Sequence, residues 1–156
     1  IGCRSIAYGI ESVNWDTLKH INKETAVDQA IQAVRRTKQA GIDVVGYFMF
    51  VPERETLEDM QRTVDLAISL APDYVQFAVL TPLPGSALYA GDGWLSHNRE
   101  SYSGLTGQGG DGVGWAYRKF YLRPRYLLSR GLRLLRSPSE LRMLVQGVLM
   151  LARVGK

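Results

Sequence analysis

Cysteine is nearly absent from this chain: Cys3 is the single one in 156 residues. That excludes an internal disulfide framework. It also excludes a zinc or iron–sulfur site built from this chain's thiolates alone, because such sites take three or four. Histidine is scarce as well. His20 and His97 stand far from any other candidate ligand and read as surface or packing residues, and no Ser/His/Asp or Cys/His pairing is apparent. Long hydrophobic runs are missing too. The longest, Met143 to Ala152, is interrupted by Gln146 and Gly147 and falls short of the ~20 residues a membrane span needs. The opening Ile1-Gly2-Cys3-Arg4 has no initiator Met and no charged-then-apolar leader, so the start reads as a cut inside a larger protein. A chain with neither disulfides nor leader is most simply placed in the cytoplasm.

The composition is 46% hydrophobic and 22% charged, enough for the core of about one domain. The net charge of +4 hides a division. Residues 1–100 carry 9 Lys/Arg and 13 Asp/Glu, whereas residues 101–156 carry 10 Lys/Arg and 2 Asp/Glu. The body is mildly acidic and the tail strongly basic, so the tail suits an anionic lipid, a nucleic acid or an acidic neighbouring domain.

The first 90 residues repeat one pattern. Cys3 to Ile10 is a short apolar run. Thr25 to Ala40 has helical spacing, with Thr25 as a cap and Gly41 as the stop. Val44 to Val51 is a second β-rich run. Thr56, with Asp59 three residues on, caps a second helix that Pro72 ends, and Tyr74 to Leu80 is a third run. Strand, helix, strand, helix, strand predicts an α/β fold with parallel strands, and the near-continuous apolar runs predict strands buried on both faces. Three strands cannot close a barrel. The segment is either a small open sheet or the second half of a barrel, and the abrupt start favours the half barrel.

Residues 91–114 hold eight of the sixteen glycines and read as a flexible linker or lid. Gly107, Gly109 and Gly112 spell a dinucleotide fingerprint, but no strand precedes it. Residues 115–156 read as basic amphipathic helices, with Arg123, Arg130, Arg133 and Arg136 alternating with leucines. Docked on a body, the leucines pack inward and the arginines stay wet. On a membrane, the leucines enter the interface. Nucleic acid is disfavoured, because the tail shows neither an aromatic stacking platform nor a groove-reading motif.

In parallel α/β folds ligands collect beyond the carboxyl ends of the strands. Three loops qualify: Gly9 to Ser12, Val51 to Thr56, and Leu80 to Gly85. Glu11, directly after the first strand, can accept hydrogen bonds from hydroxyls or an ammonium there. Glu55 and Thr56 read more simply as helix-capping residues.

These segments resemble a known family. Gly2-Cys3-Arg4-Ser5-Ile6-Ala7-Tyr8-Gly9-Ile10-Glu11-Ser12 is similar to the fourth-strand motif of radical S-adenosylmethionine (SAM) enzymes. Ile21-Asn22-Lys23, Lys38 to Ile42, and Gly46 to Phe50 followed by Glu55 to Asp59 keep that family's order. Thr81-Pro82-Leu83-Pro84-Gly85-Ser86-Ala87-Leu88-Tyr89 resembles a segment of the cobalamin-dependent branch, which includes anaerobic magnesium-protoporphyrin monomethyl ester cyclases and hopanoid-biosynthesis enzymes. Tyr117 to Pro124 is similar to that branch's post-barrel helix.

The resemblance implies an enzyme with a partial (β/α)6 barrel. Strands four to six would lie in residues 1–90, followed by the glycine-rich linker and the basic C-terminal helices. It implies SAM and a four-iron four-sulfur cluster on three cysteines outside this chain, with cobalamin as a further cofactor bound elsewhere. A fragment without those cysteines would be inactive alone. By resemblance, Glu11 and Ser12 face the ribose or methionyl part of SAM, Lys23 pairs with its carboxylate, and Tyr47 and Thr81 line the adenosine side. The implied partners are the upstream part of the same protein, a hydrophobic small-molecule substrate and peripheral membrane. One departure stands out. The family's Gly-x-Pro-Gly-Glu-Thr loop is here Val51-Pro52-Glu53-Arg54-Glu55-Thr56, where Glu53 and Arg54 are expected to crowd or reshape it. A different α/β-barrel enzyme, or a non-catalytic module acting through its basic tail, are the competing readings.

Overall fold

Period-two burial organises the sheet. In the computed structural model, which describes residues 2–24, 26–80, 85–88 and 113–134, three strands run parallel in the order β1 (Ser5–Glu11), β2 (Asp43–Phe50), β3 (Tyr74–Val79). Along β2, Val44, Gly46, Phe48 and Phe50 are buried, while Tyr47 between them is exposed. The buried side continues through Ile10 on β1 and Val75 and Phe77 on β3. The helices α2 (Val27–Gln39) and α3 (Leu57–Leu70) pack there, bringing Ala30 and Val34, and Met60, Val64 and Ala67. Phe77 meets Phe48 and Phe50 at ring-centroid distances of 5.5 and 5.8 Å. Each fully buried phenylalanine contributes roughly 1.5–3 kcal/mol. Gly46 is required on this side, because a Cβ there would sit 2.8 Å from the Phe48 ring.

The opposite face is not buried as the apolar runs suggested. Ala7, Tyr47 and Gln76 are exposed on it, with Val45, Met49 and Ala78 half-buried. Apolar residues occupy both sides of these strands, but the helices of this chain cover only one.

Chain chemistry explains most helix boundaries. Thr56 caps α3 with a reciprocal capping box. Its hydroxyl accepts from Asp59 N–H, and the Asp59 carboxylate accepts from Thr56 N–H at 2.9 Å. Gly41, at φ 73°, ends α2 in a Schellman motif, with Ile42 N–H on Thr37 O and Gly41 N–H on Lys38 O. The start of α2 differs from expectation. Ala26 stands at its N-cap without a side-chain bond, and Thr25 lies outside the described residues. A short helix, α1 (Trp15–His20), was not legible as periodicity, because six residues are too few to show a stripe.

A buried polar latch joins the loops after β1 and β2. Ser12 Oγ donates to Glu55 Oε1 at 2.5 Å, and Val51 N–H donates to Glu55 Oε2 at 2.9 Å. Ser12 Oγ also accepts from Asn14 N–H at 3.0 Å, and Val13 N–H donates to Thr63 Oγ1 on α3 at 3.2 Å. Ser12, Thr63 and Glu55 are all buried. The Val51–Glu55 loop itself turns through Arg54 N–H and Glu55 N–H, both on Val51 O. No residue in it takes a left-handed φ, so it closes without glycine, and Glu53 and Arg54 are exposed rather than crowding it.

The chain divides into two compact units, residues 1–113 and 114–156. In the second, α4 (Gly114–Tyr121) and α5 (Pro124–Leu134) carry a cluster of rings. Phe120 lies 5.0 Å from Tyr121 and 5.5 Å from Tyr126, edge to face. The Arg123 guanidinium sits 4.4 Å above Phe120, and that of Arg130, itself buried, 5.4 Å from Tyr126. On α5, Leu127, Leu128 and Leu132 are exposed and Arg130 is buried, while Arg125 stays exposed, so the docked arrangement of inward leucines and wet arginines does not hold there. Cation–π contact gives the arginines a reason to turn inward. The glycine-rich linker assigned to 91–114 lies outside the described residues up to 112, with Gly114 opening α4; the tail beyond 134 also lies outside them.

Two outcomes follow from these contacts. Hydrogen bonds from the Thr56 hydroxyl and N–H lower the Asp59 pKa from 3.8 to about 2. A depressed folded-state pKa adds stability that is complete above the unfolded value and is lost as pH falls between about 4 and about 2. Urea titrations across that window should show a shallower loss for Asp59→Asn than for the wild type. Thr56→Ala should cost about 1 kcal/mol at neutral pH. At the latch, Glu55→Ala leaves the Val51 N–H unsatisfied in the interior and removes the Ser12 hydroxyl's shortest bond, and should cost about 2–3 kcal/mol. Glu55→Gln, which keeps one acceptor, should fall between it and the wild type in the same titration.

Candidate functional site

The backbone of Glu11 is left-handed, at φ 66°. For a residue with a Cβ that conformation costs roughly 1–2 kcal/mol, and such strain collects where a side chain has to be aimed. The β1–β2 register shows how it arises. Gly9 pairs with Tyr47, but the next partner of Phe48 is Glu11, so Ile10 is an extra residue in a bulge. Ile10 stays in the core, and Glu11 turns back over the open side of the sheet. It is the last residue of β1 rather than the first of the following loop.

The Glu11 carboxylate lies over Gly9. A Cβ at position 9 would collide with Glu11 Oε1 and stand 3.2 Å from Lys23 Nζ. Lys23 Nζ pairs with Glu11 Oε1 at 3.5 Å, with the Glu11 side chain 16% exposed. A short piece of chain delivers the lysine. Asn14 caps α1 by accepting from Asp16 N–H and Thr17 N–H. The helix ends in a Schellman motif, with Lys23 N–H on Leu18 O and Asn22 N–H on Lys19 O, and with Asn22 in the left-handed position at φ 56°. Leu18 is wholly buried, so the turn is anchored at its base and Lys23 is returned toward β1.

The structure thus brings together two of the residues singled out from the sequence, Glu11 and Lys23. Tyr47 is on the same open face, as the register partner of Gly9, and is 41% exposed. Ser12 is placed differently. It is fully buried, and its hydroxyl is engaged by Glu55 and Asn14, so its visible part is to fix the loop that carries Glu11. Thr81 lies outside the described residues. Gly9 and Asn22 were missed as contributors. A glycine two residues before a strand-ending glutamate, and an asparagine just past a short polar-capped segment, were the available signals.

Chemically, the site offers a carboxylate that can accept from an ammonium or hydroxyls, an ammonium that can hold a carboxylate, and a tyrosine on the flanking strand. Among the described residues no group of His, Cys, Asp and Glu could hold a metal ion, and Cys3 is exposed. No described helix is long and apolar enough to cross a membrane.

Comparison with known proteins shows what the sequence is similar to. Residues 1–67 match the Radical SAM superfamily. The chain is 32% identical over 141 residues to an uncharacterized methyltransferase of Pyrococcus horikoshii, covering 81% of this chain and 31% of that protein. It is 29% identical over 138 residues to the anaerobic magnesium-protoporphyrin IX monomethyl ester cyclase of Rubrivivax gelatinosus, covering 81% of this chain and 25% of that protein. With the bacteriochlorophyllide d C-12(1)-methyltransferase of Chlorobaculum tepidum it shares 32% identity over 89 residues, 56% of this chain and 20% of the relative. The chain therefore spans less than a third of the length of each of these relatives. Its parallel α/β sheet is compatible with part of a barrel, and residues 1–67 of this chain are radical SAM superfamily sequence.

Proposed function

We propose that β1, β2 and β3 are strands four to six of a partial (β/α)6 barrel, and that Glu11 and Lys23 hold SAM at its carboxyl end. The observation that carries this reading is the left-handed, bulged Glu11, whose carboxylate is folded over Gly9 and paired with Lys23. The residues fit the polar part of SAM. Glu11 can accept from its ammonium or ribose hydroxyls, Lys23 can pair with its carboxylate, and the hydrogen-only side chain of Gly9 leaves the room for both. Tyr47 stands on the same face to take the adenosine, and the family resemblance gives Thr81, outside the described residues, the same role. Ser12 acts one step removed, through the latch to Glu55.

The superfamily implies SAM with a four-iron four-sulfur cluster, and together they supply radical chemistry when bound. This chain's part is to bind and orient SAM. A single exposed cysteine does not fit a cluster, so its ligands belong to residues outside this chain. Cobalamin, on a domain also outside it, is proposed from the resemblance of residues 81–89 to the cobalamin-dependent branch. Relatives are named for acting on magnesium-protoporphyrin IX monomethyl ester and bacteriochlorophyllide d, and we extend that to a hydrophobic substrate here.

In the full-length protein, Glu11→Ala should weaken SAM binding about tenfold or more, the value of one charge-assisted hydrogen bond. Gly9→Ala should do the same by filling the cradle. Anaerobic equilibrium dialysis with SAM measures both, and unchanged affinity in both variants would remove the assignment. Anaerobic reconstitution of this chain by itself should give no stoichiometric cluster. Iron and sulfide analysis at four irons per monomeric chain would contradict the placement of the ligands.

A further inference from the structure

The outward face of α5 is the wrong way round for a helix of a free-standing globular unit. Such a helix turns its apolar stripe to the core and its charges to water. Here Pro124, Leu127, Leu128, Gly131 and Leu132 line a shallow groove on the surface. Leu127, Leu128 and Leu132 are 51%, 68% and 63% exposed, with Leu122 just before the helix at 59%. Arg130 is on the buried side instead, stacked over Tyr126. Leaving three leucines in water is unfavourable unless something covers them.

Charge narrows what that is. Residues 113–134 contain six Lys/Arg and no Asp or Glu. Arg125 is exposed and borders the stripe at helical spacing from Leu128 and Leu132, and Arg118 and Lys119 are exposed on α4. A second copy of this chain would bring two acid-free basic surfaces together, which like-charge repulsion opposes. An anionic lipid surface meets both requirements, taking the leucines into the acyl boundary and the basic side chains among its head groups.

We propose that α5 is a peripheral membrane contact, with its Leu127–Leu128–Leu132 face seated in an anionic leaflet. This goes beyond the SAM assignment and does not depend on it, since neither Glu11 nor Lys23 takes part.

The test is flotation of the purified full-length protein with vesicles of phosphatidylcholine, alone or mixed with phosphatidylglycerol. The protein should float with the anionic vesicles, stay behind with the neutral ones, and detach as salt is raised. Leu128→Ser combined with Leu132→Ser should lower partition about tenfold, and Arg125→Gln about fivefold. Circular dichroism confirms that each variant remains folded. SAM binding should be unchanged in both, which separates this proposal from the cofactor site. Failure of the wild type to float with anionic vesicles would overturn the proposal, as would flotation indifferent to the leucine pair. Gel filtration covers the other occupants: a stable dimer, or a complex with an acidic protein, that is lost in the leucine variant would also overturn it.

Discussion

One buried hydrogen bond, from the Ser12 hydroxyl to Glu55, sets the geometry on which the candidate site depends. Beyond the carboxyl edge of the sheet, side chains tie the loops after two parallel strands to one another. Glu55 does this by accepting from Ser12 on one loop and from the Val51 N–H on the other. Thr63 extends the attachment to α3 through the Val13 N–H. Glu11 directly precedes Ser12, so its left-handed backbone is held by a neighbour that cannot move without breaking an interior bond. Strain at one residue persists here because the residue after it is over-determined.

Much of the fold could be read from the sequence, for identifiable reasons. Thr56 and Asp59 form the reciprocal pair their spacing implied, and Gly41 ends α2 in the left-handed position its type favours. These are local chemistries, complete within a few residues. What could not be read was non-local. That Tyr47 faces outward while Phe48 faces in depends on which side the helices take. The Val51–Glu55 loop is a local exception, closing without glycine through two N–H groups that share one carbonyl. That Arg130 turns inward depends on the ring of Tyr126. In the site, Glu11 was visible as a strand-ending carboxylate, but its contact with Lys23 runs through the α1 turn, which carries no periodic signal.

The two units also differ in what holds them. In the first, aliphatic and phenylalanine side chains from helices and strands close one face of a sheet, with a few polar bonds among them such as that between Tyr8 and Thr37. In the second, rings and guanidinium groups form the described packing and leucines are left outside. Composition hinted at this through the basic tail, but it could not say which of the two residue types would be turned inward.

The Glu11–Lys23 pair has a consequence for selectivity. At 3.5 Å its members already satisfy each other, so an entering ligand must exchange partners with them rather than fill a vacancy. A ligand with only a cationic group strands the ammonium of Lys23, and one with only an anionic group strands the carboxylate of Glu11. Either intruder leaves a partly buried charge uncompensated. A ligand carrying both charges on one small centre replaces one neutral pair by two. On the proposed reading, the site would reject single ions by the same contact that admits an amino-acid group.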